Sequence, residues 1–274
     1  MAEVPIDCGY ARNPVRVETG MSLASDPSMA RAPVALFGLG LLVVWETAQP
    51  FLPLFAGSAA WRDRLWHGAR NLGLGVVNAL VVRFGFLALW VATMEWSARH
   101  AFGLLHWMDV TGWPRWILAV LLLDLWTYTW HRLSHAVPLL WYFHRLHHSD
   151  EQMDVTTASR FHLGEIVGSS VARIAVLALI GCTVAELAVY ETLLFAGVQF
   201  HHANVTLPNA LDRVVRVVLV TPHLHKVHHS VELAEQNANF SSLFTWWDRL
   251  ARTFRLSAAP EMIAFGVREP PPRD

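Results

Sequence analysis

The chain has 274 residues, of which 54% are hydrophobic and 16% are charged, and its mean hydropathy is +0.33. Soluble domains carry about 25% charged residues, so this composition argues against an ordinary soluble enzyme. The formal net charge of −1 gives no electrostatic basis for binding nucleic acid, and the two cysteines, Cys8 and Cys182, exclude a disulfide framework and a CxxC site.

The first part of the chain divides into a polar tail and three apolar stretches. Residues 1–31 mix acidic and basic side chains without an apolar run, which predicts a poorly ordered tail rather than a signal peptide. The apolar stretches that follow are residues 33–55, 72–96 and 113–130. Each is close to the length of about 20 residues with which a helix crosses a bilayer.

A fourth apolar stretch, residues 166–200, is too long for one membrane span. Gly181, Cys182 and Thr183 interrupt it, which predicts a helical hairpin with short arms. We therefore predict an all-α protein, an integral membrane bundle of four to five membrane segments.

The basic residues predict how this bundle lies in the membrane. With the N-terminus outside, 14 lysines and arginines flank the inner ends of the segments and five flank the outer ends. The positive-inside rule then puts residues 131–165 and the chain from residue 201 onward on the cytoplasmic face, as a helical cap. We expect one membrane-embedded domain over residues 32–256 and a C-terminal tail over residues 257–274.

The cap is rich in histidine, since 12 of the 15 histidines lie between His131 and His229. Their spacing forms one HxxxH box and two HxxHH boxes. Residues three or four apart share a helix face, with Cβ atoms roughly 5 to 6 Å apart, so the imidazoles of one box can converge on one metal ion. The box histidines are His131, His135, His144, His147, His148, His225, His228 and His229.

Four further histidines give weaker signals. His67, His100 and His106 are isolated, which favours interfacial or solvated side chains over metal ligands. His223 could be a ninth box member, but its position after a proline favours a loop residue.

One acidic residue shares the helix face of the first box. Asp124 lies seven residues before His131, with Tyr128 between them on the same face. Asp124 is therefore a candidate to accept a hydrogen bond from the first box and fix its imidazoles. A structural hydrogen bond to a neighbouring helix is an equally good interpretation.

The number and type of ligands favour two metal ions. One zinc ion takes three or four protein ligands, and eight imidazoles exceed that number. The sequence lacks the HExxH of zinc proteases and the GxSxG of serine hydrolases, and no ExxH of the soluble di-iron bundles occurs near the boxes.

Further motifs surround the boxes. They are Leu123–Leu125 leading into His131–His135, Trp141–Ser149, Asp154–Thr157, Arg160–His162, His202–Asn204, Thr221–Pro222 before the last HxxHH, and Trp246–Arg249. With these motifs the chain resembles, from about Glu46 to Arg255, the sterol desaturase and fatty acid hydroxylase superfamily of membrane di-iron oxygenases. It looks most like the bacterial sterol desaturase-like branch. That resemblance implies that the domain over residues 32–256 is catalytic and that the protein lies in a bacterial inner membrane.

The resemblance implies two further metal ligands, His162 and His202, which makes ten candidates. Glu165, three residues after His162, could accept the second N–H of that imidazole. His202 ends the apolar hairpin at the depth of the boxes. His201 points about 100° away from His202 on a helix, which excludes it from the candidate ligands.

The resemblance also implies a cofactor and a reaction. The cofactor would be two iron ions, with zinc as an alternative on overexpression, and O2 would be the co-substrate. The reaction would hydroxylate or desaturate a C–H bond of a lipid from the bilayer: sterol-like, hopanoid, fatty acyl or carotenoid. Because the chain has no GxGxxG fingerprint, electrons would come from a separate donor, a ferredoxin or a small cytochrome with its reductase.

Two other functions stay open at the level of sequence. A membrane metal transporter or metal-storage protein also carries histidine clusters, but a transporter would place its ligands near the middle of the membrane. A zinc-dependent membrane hydrolase is the other alternative.

Overall fold

The structure is a computed structural model that describes residues 27–55 and 57–268. This part of the chain forms twelve α-helices. They are α1 Pro27–Ala48, α2 Ala60–Val81, α3 Leu87–Arg99, α4 Leu104–Trp107, α5 Gly112–Ala136, α6 Pro138–His148, α7 Leu163–Ile180, α8 Val184–His202, α9 Asn209–Val215, α10 Pro222–His228, α11 Leu233–Gln236 and α12 Trp246–Leu250.

Shorter helical turns complete the described chain. A π-helical segment, Val82–Phe86, continues α2 into α3, and 3₁₀ turns form at Val155–Ser159 and Pro260–Met262. The residues described contain isolated β-bridges but no strand. The predicted all-α fold class is confirmed.

A proline separates the first two histidine boxes. α5 ends at Ala136, Val137 is extended, and Pro138 occupies the first turn of α6. Proline fixes φ and lacks an N–H, so it can begin a helix but interrupts one that is already formed. The first box therefore ends α5, and the second box ends α6.

The apolar stretch 166–200 folds as a hairpin of α7 and α8. α7 ends at Gly181, whose φ of 72° is left-handed, a conformation that glycine adopts without steric cost. α8 begins with a capping box, in which Thr183 Oγ1 accepts from the Glu186 N–H and the Glu186 carboxylate accepts from the Thr183 N–H. The predicted break is confirmed at these residues.

Two helical segments of the described chain are long and apolar enough to cross a membrane. They are Leu163–Ile180 and the run Ala60–Trp107, which contains α2 to α4. The first apolar stretch of the sequence contributes a shorter apolar segment, Pro33–Ala48, within α1. Helices of this length and composition fit the membrane protein expected from the sequence.

The predicted tails differ from the structure where the structure describes them. Residues 27–31, assigned to the N-terminal tail, form the first turns of α1. Residues 257–268, assigned to the C-terminal tail, include a 3₁₀ turn and the buried Phe265, so this segment packs on the domain. Residues 1–26 and 269–274 lie outside the described chain.

An apolar core joins the long helices. Its buried members are Trp90, Met94, Leu105, Ala119, Leu123, Leu177, Ile180, Cys182, Leu187, Tyr190 and Leu243. α5 packs against α6, α7 and α8, and α10 packs against α8. This packing brings the C-terminal ends of α5, α6, α8 and α10 together, and every box histidine lies near one of those ends.

Candidate metal centre

Nine histidines form two clusters in the structure. Within each cluster one nitrogen from every imidazole lies within 4.8 Å of the others. Cluster 1 consists of His131, His135, His144, His148 and His228. Cluster 2 consists of His147, His202, His225 and His229. The structure thus brings together nine of the ten candidate ligands.

The two HxxHH boxes each supply both clusters. In α6, His144 and His148 share a helix face and enter cluster 1, while His147 enters cluster 2. The box at α10 is divided the other way: His228 enters cluster 1, while His225 and His229 enter cluster 2. Adjacent residues differ by about 100° around a helix, so the final two histidines of each box necessarily point to different clusters.

The clusters are neighbours. The rings of His148 and His229, which belong to different clusters, are stacked with centroids 4.4 Å apart. The rings of His147 and His148 are 5.5 Å apart. Two metal ions held by these clusters would therefore lie close to each other, joined by two helices that contribute to both.

Backbone carbonyls fix the tautomers of four imidazoles. Nδ1 of His131 donates to Phe240 O (2.7 Å), and Nδ1 of His228 donates to Ala238 O (2.7 Å). His147 and His202 make the same type of bond to the carbonyls of Arg160 (3.2 Å) and Val198 (2.8 Å). Since a carbonyl only accepts, these Nδ1 atoms carry the proton and each Nε2 presents a lone pair.

The close approach of Nε2 atoms fits a bound cation. Nε2 of His131 is 2.9 Å from Nε2 of His228, and Nε2 of His147 is 3.1 Å from Nε2 of His202. Both atoms of each pair are acceptors, so a neutral pair has no proton to share. Two ligands at right angles around a metal ion, each at about 2.1 Å, are about 3 Å apart.

Several buried imidazole nitrogens in the clusters, and one of His201 beside them, have no hydrogen-bond partner among the described residues. They are Nε2 of His135, His144, His148 and His229 and Nδ1 of His148, His201, His225 and His229. Buried polar atoms are normally satisfied, and unpaired nitrogens in an all-histidine cluster are those expected to bind metal ions. Imidazole ligands suit iron, zinc, copper and nickel, so the residues present fit the iron implied by the resemblance.

The electrostatics of the site favour neutral ligands and a cation. Burial first, and then the neighbouring imidazoles, lowers the pKa of His147, His148, His228 and His229 well below the ordinary value of histidine. Neutral imidazole is the form that binds a metal ion. The C-terminal ends of α5, α6 and α8 also direct partial negative charge at the clusters.

His162 lies outside both clusters, which differs from the expectation that it joins the ligands. It is the N-cap of α7, and its Nδ1 accepts a hydrogen bond from the Gly164 N–H at 2.9 Å. Glu165 accepts from Nδ1 of His144 at 2.8 Å, so the predicted pairing of Glu165 with His162 is wrong. The helix cap turns His162 toward its own backbone, while Glu165, one turn into α7, faces α6.

The predicted hydrogen bond from Asp124 to the first box is also wrong. Asp124 Oδ2 accepts from Trp247 Nε1 at 2.7 Å and from the Phe244 N–H at 3.1 Å. Tyr190 Oη approaches Asp124 Oδ1 at 3.5 Å. The alternative interpretation, a structural bond to a neighbouring segment, fits these contacts.

The histidines outside the clusters have other partners. His201 is buried, with its ring centroid 3.9 Å from that of His225, but it belongs to neither cluster. His223 lies in α10 rather than in a loop, and its Nδ1 is 3.7 Å from an oxygen of Asp212. His100 is exposed, as expected.

A buried polar network beside the second box was not predicted. Asp150 accepts hydrogen bonds from His67 (2.8 Å), Asn71 (3.2 Å) and Thr157 (2.7 Å). Burial alone would raise the pKa of Asp150, but the bonds from His67 and Thr157 lower it to about 2. His67 is buried, so the expectation of a solvated or interfacial side chain is wrong. The pairing could not be seen in the sequence because 83 residues separate His67 from Asp150.

A loop that orients two ligands of cluster 1 was also not predicted. It runs from Ala238 to Ser241 and carries the two carbonyls that accept from His228 and His131. The Asp248 carboxylate holds the loop, because Oδ1 accepts from the Phe240 N–H (2.8 Å) and Oδ2 from the Ser241 N–H (2.9 Å). The Trp-Trp-Asp-Arg motif was visible in the sequence, but its contact with this loop was not.

Asn239 gives this loop its turn. Its φ of 53° is left-handed, and asparagine is one of the few residues other than glycine that adopts that region readily. The side-chain amide donates to the carbonyls of Leu224 (3.0 Å) and Arg255 (2.8 Å). Asn239 therefore ties the loop to α10, which supplies ligands to both clusters.

Comparison with known proteins identifies relatives that act on lipids. Residues 116–253, half of the chain, match the family model described as fatty acid hydroxylase. The chain is 31% identical over 153 residues to an ornithine lipid hydroxylase of Rhizobium tropici (55% of this chain, 45% of that protein) and 30% identical over 156 residues to human alkylglycerol monooxygenase (57% and 33%).

A third relative is human cholesterol 25-hydroxylase, 25% identical over 146 residues (53% of this chain, 52% of that protein). The matches thus span between about a third and a half of the length of these relatives. No solved structure matches the chain significantly. The matched residues contain the three boxes and the loop that orients two ligands of cluster 1. The chain therefore belongs to the fatty acid hydroxylase family, within the sterol desaturase and fatty acid hydroxylase superfamily.

Proposed function

We propose that this protein is a membrane-bound di-iron oxygenase that uses O2 and electrons from an outside donor to hydroxylate or desaturate a C–H bond of a lipid. The observation that carries the proposal is the pair of adjacent clusters made of nine imidazoles. The relatives support it, since their names describe hydroxylases or a monooxygenase of an ornithine lipid, an alkylglycerol and cholesterol, all of them oxidoreductases.

In this mechanism the chain supplies ligands, their orientation and a protected site. Two iron ions bound in the clusters would supply the activation of O2 that oxidation of an unactivated C–H bond needs. Cluster 1 would hold one ion with five imidazoles and cluster 2 the other with four. The carbonyl bonds to Nδ1 keep the rings of His131, His147, His202 and His228 fixed with Nε2 toward the metal. Seven of the nine imidazoles are buried, which limits the access of bulk water.

A cavity beside cluster 1 supports a lipid substrate. It has a volume of about 620 Å³, and its wall combines the apolar side chains of Trp141, Val231, Leu233 and Val267 with polar ones. The polar side chains are those of His135, Glu232, Gln236, Asn237 and Arg268. Apolar cavities with a few polar groups are the usual form of small-molecule sites. We propose that the apolar part of a sterol-like, hopanoid, fatty acyl or carotenoid lipid enters here.

The electrons would come from a separate protein. The sequence has no dinucleotide fingerprint, so a ferredoxin or a small cytochrome with its reductase is the proposed donor. A binding partner of this kind is tested by supplying purified ferredoxin and reductase to the iron-loaded protein and measuring turnover.

The metal content is the first prediction of this proposal. We expect protein purified without chelators to carry about two metal ions per chain, iron in cells and zinc on overexpression, because imidazole accepts both. Elemental analysis by mass spectrometry measures this number. Protein that binds no metal would contradict the proposed function.

The product is tested in the same cells. Lipid mass spectrometry with and without the protein should reveal a lipid that gains about 16 Da on hydroxylation or loses about 2 Da on desaturation. Full metal loading with an unchanged lipid profile, in the presence of a working electron donor, would contradict oxygenation of a membrane lipid and favour metal storage.

The proposed topology is four to five membrane segments with the histidine clusters in a cytoplasmic cap of a bacterial inner membrane. Cysteine labels at Ser149 and Ser257 should then react with a membrane-impermeant reagent only from the cytoplasmic side. If the two labels reacted from opposite sides of the membrane, about 30 Å of hydrocarbon would separate the second box from the third, and the boxes could not form one site. Reaction of both labels from the outside alone would reverse the orientation.

A further inference from the structure

An exposed apolar surface lies on the segments before and after α10, outside the two candidate membrane helices. We call it the α9–α12 surface. Its large apolar side chains are between 38% and 75% exposed. They are Leu211, Val214, Val217, Val218, Leu219, Trp246, Leu250 and Leu256.

Hydrogen bonds join the two segments into one surface. The Thr245 N–H donates to Val218 O at 3.0 Å, and the Arg249 guanidinium donates to Arg216 O at 3.0 Å. Leu219 forms a β-bridge with Phe244. The segment that directly follows α9, residues 216–219, therefore lies beside residues 244–249 at the start of α12. Contiguous exposed apolar patches usually mark interaction sites.

The exposed charge on this surface is positive. Residues 209–219 and 243–256 contain five arginines and two aspartates. Both aspartates are buried, Asp212 at 1% and Asp248 at 2% exposure. Arg213, Arg249 and Arg252 are exposed beside the apolar side chains. A surface with apolar and basic side chains suits a bilayer that contains anionic headgroups.

The depth of the surface agrees with that partner. Asp124, in the middle of α5, accepts hydrogen bonds from Phe244 and Trp247. Asp124 precedes His131 by seven residues, which is about 10 Å along a helix. The part of the surface at residues 244–247 thus lies about 10 Å along α5 from its ligand end. Interfacial segments bury their apolar face about 5–10 Å into the headgroup boundary.

We propose that the α9–α12 surface inserts into the bilayer leaflet next to the histidine clusters and that its arginines bind anionic phospholipid headgroups. The segments after α8 then belong to the membrane contact of the protein, although they span nothing. The surface would hold α10, and with it ligands of both clusters, at a fixed depth. This proposal holds whether or not the protein oxidises a lipid.

Spin labels test the insertion directly. We would replace Cys8 with serine and Cys182 with alanine, introduce Val214→Cys or Leu250→Cys, and reconstitute the labelled full chain in nanodiscs of phosphatidylglycerol and phosphatidylcholine. We expect O2 to relax both labels and a water-soluble nickel chelate to be excluded. A label at Met262, which is 78% exposed, is the control and should be reached by the chelate.

Two results would overturn the insertion. Labels at Val214 and Leu250 that the chelate reaches as readily as Met262 would put the surface in water. Strong dipolar coupling between the labels of two chains, with both reagents excluded, would make the surface a contact between copies.

Co-purified lipids test the headgroup preference. Phosphatidylglycerol should be enriched around the unmodified protein, and the Arg213→Gln, Arg249→Gln, Arg252→Gln variant should fall toward the bulk ratio. The control replaces the exposed Arg62 and Arg99 with glutamine and should keep the enrichment. Equal enrichment in the monodisperse triple variant and the control would overturn the assignment of these arginines.

Discussion

Replacing His148 with alanine should abolish lipid oxidation and remove the metal ion of cluster 1, whereas replacing His147 should abolish oxidation by removing the ion of cluster 2. These neighbours enter different clusters because they differ by about 100° around α6. We expect each variant to lose at least about 100-fold in turnover, since loss of an outer hydrogen-bond partner alone costs about 10–100-fold.

The measurement is the iron content together with the product. Each variant should hold about one iron ion per chain, and anomalous scattering should locate it in the other cluster. His228→Ala should behave as His148→Ala, and His229→Ala as His147→Ala, because α10 divides its box in reverse. The apolar helices hold most of the fold, so the variants should remain monodisperse in detergent.

The exposed His100 provides the matched control. His100→Ala should keep both metal ions and full turnover. Full activity in His147→Ala or His148→Ala would remove that residue from the site. Loss of both ions in every single-cluster variant would show that the clusters fill only together and would contradict two separable sites.

The parts of the fold that could be predicted have local causes. The hairpin of α7 and α8 follows from Gly181 and from the capping box that starts at Thr183, both readable within a few residues. The break between α5 and α6 follows from Pro138 in the same way. The start of α1 at Pro27 was harder to predict from the sequence, because a polar composition does not exclude the first turns of a helix.

The parts of the site that could be predicted depend on helix periodicity. Spacings of three and four put box histidines on shared faces, and the structure brings all eight together. The assignment of each histidine to a cluster depends on how α6 and α10 face each other. This relative orientation is a property of the tertiary structure, and the sequence pattern of a single helix does not determine it.

The hydrogen-bond partners of the ligands were hard to predict for a related reason. His131 and His228 donate to carbonyl oxygens, and a carbonyl is present at every residue, so the sequence carries no mark of which one is used. The sequence showed that Asp124 lies on the helix face of the first box, but the carboxylate accepts hydrogen bonds from Trp247 and Phe244 instead. Carboxylates near a metal site are therefore weak evidence of a role until their partners are known.

Asp248→Asn should weaken metal binding at cluster 1 while leaving cluster 2 filled. The asparagine keeps one acceptor oxygen, for the Phe240 N–H and Thr253, but turns its NH2 group toward the Ser241 N–H. The loop then loses one anchor, and its carbonyls shift relative to His131 and His228. Changes to such partners typically cost about 10–100-fold in metal affinity.

The expected result is about one iron ion per chain at low iron, recovery to about two at high iron, and a changed spectrum of cobalt bound at cluster 1. Asp212→Asn is the matched control, because Asp212 is equally buried and contacts Arg216 and His223, neither of which belongs to a cluster. A general loss of stability would lower metal content in both variants alike. An Asp248→Asn protein with an unchanged cobalt spectrum and unchanged iron affinity at both clusters would show that the loop merely packs against the histidines. Dependence of the loss on iron concentration, confined to cluster 1, would show that Asp248 acts through the carbonyls of Ala238 and Phe240.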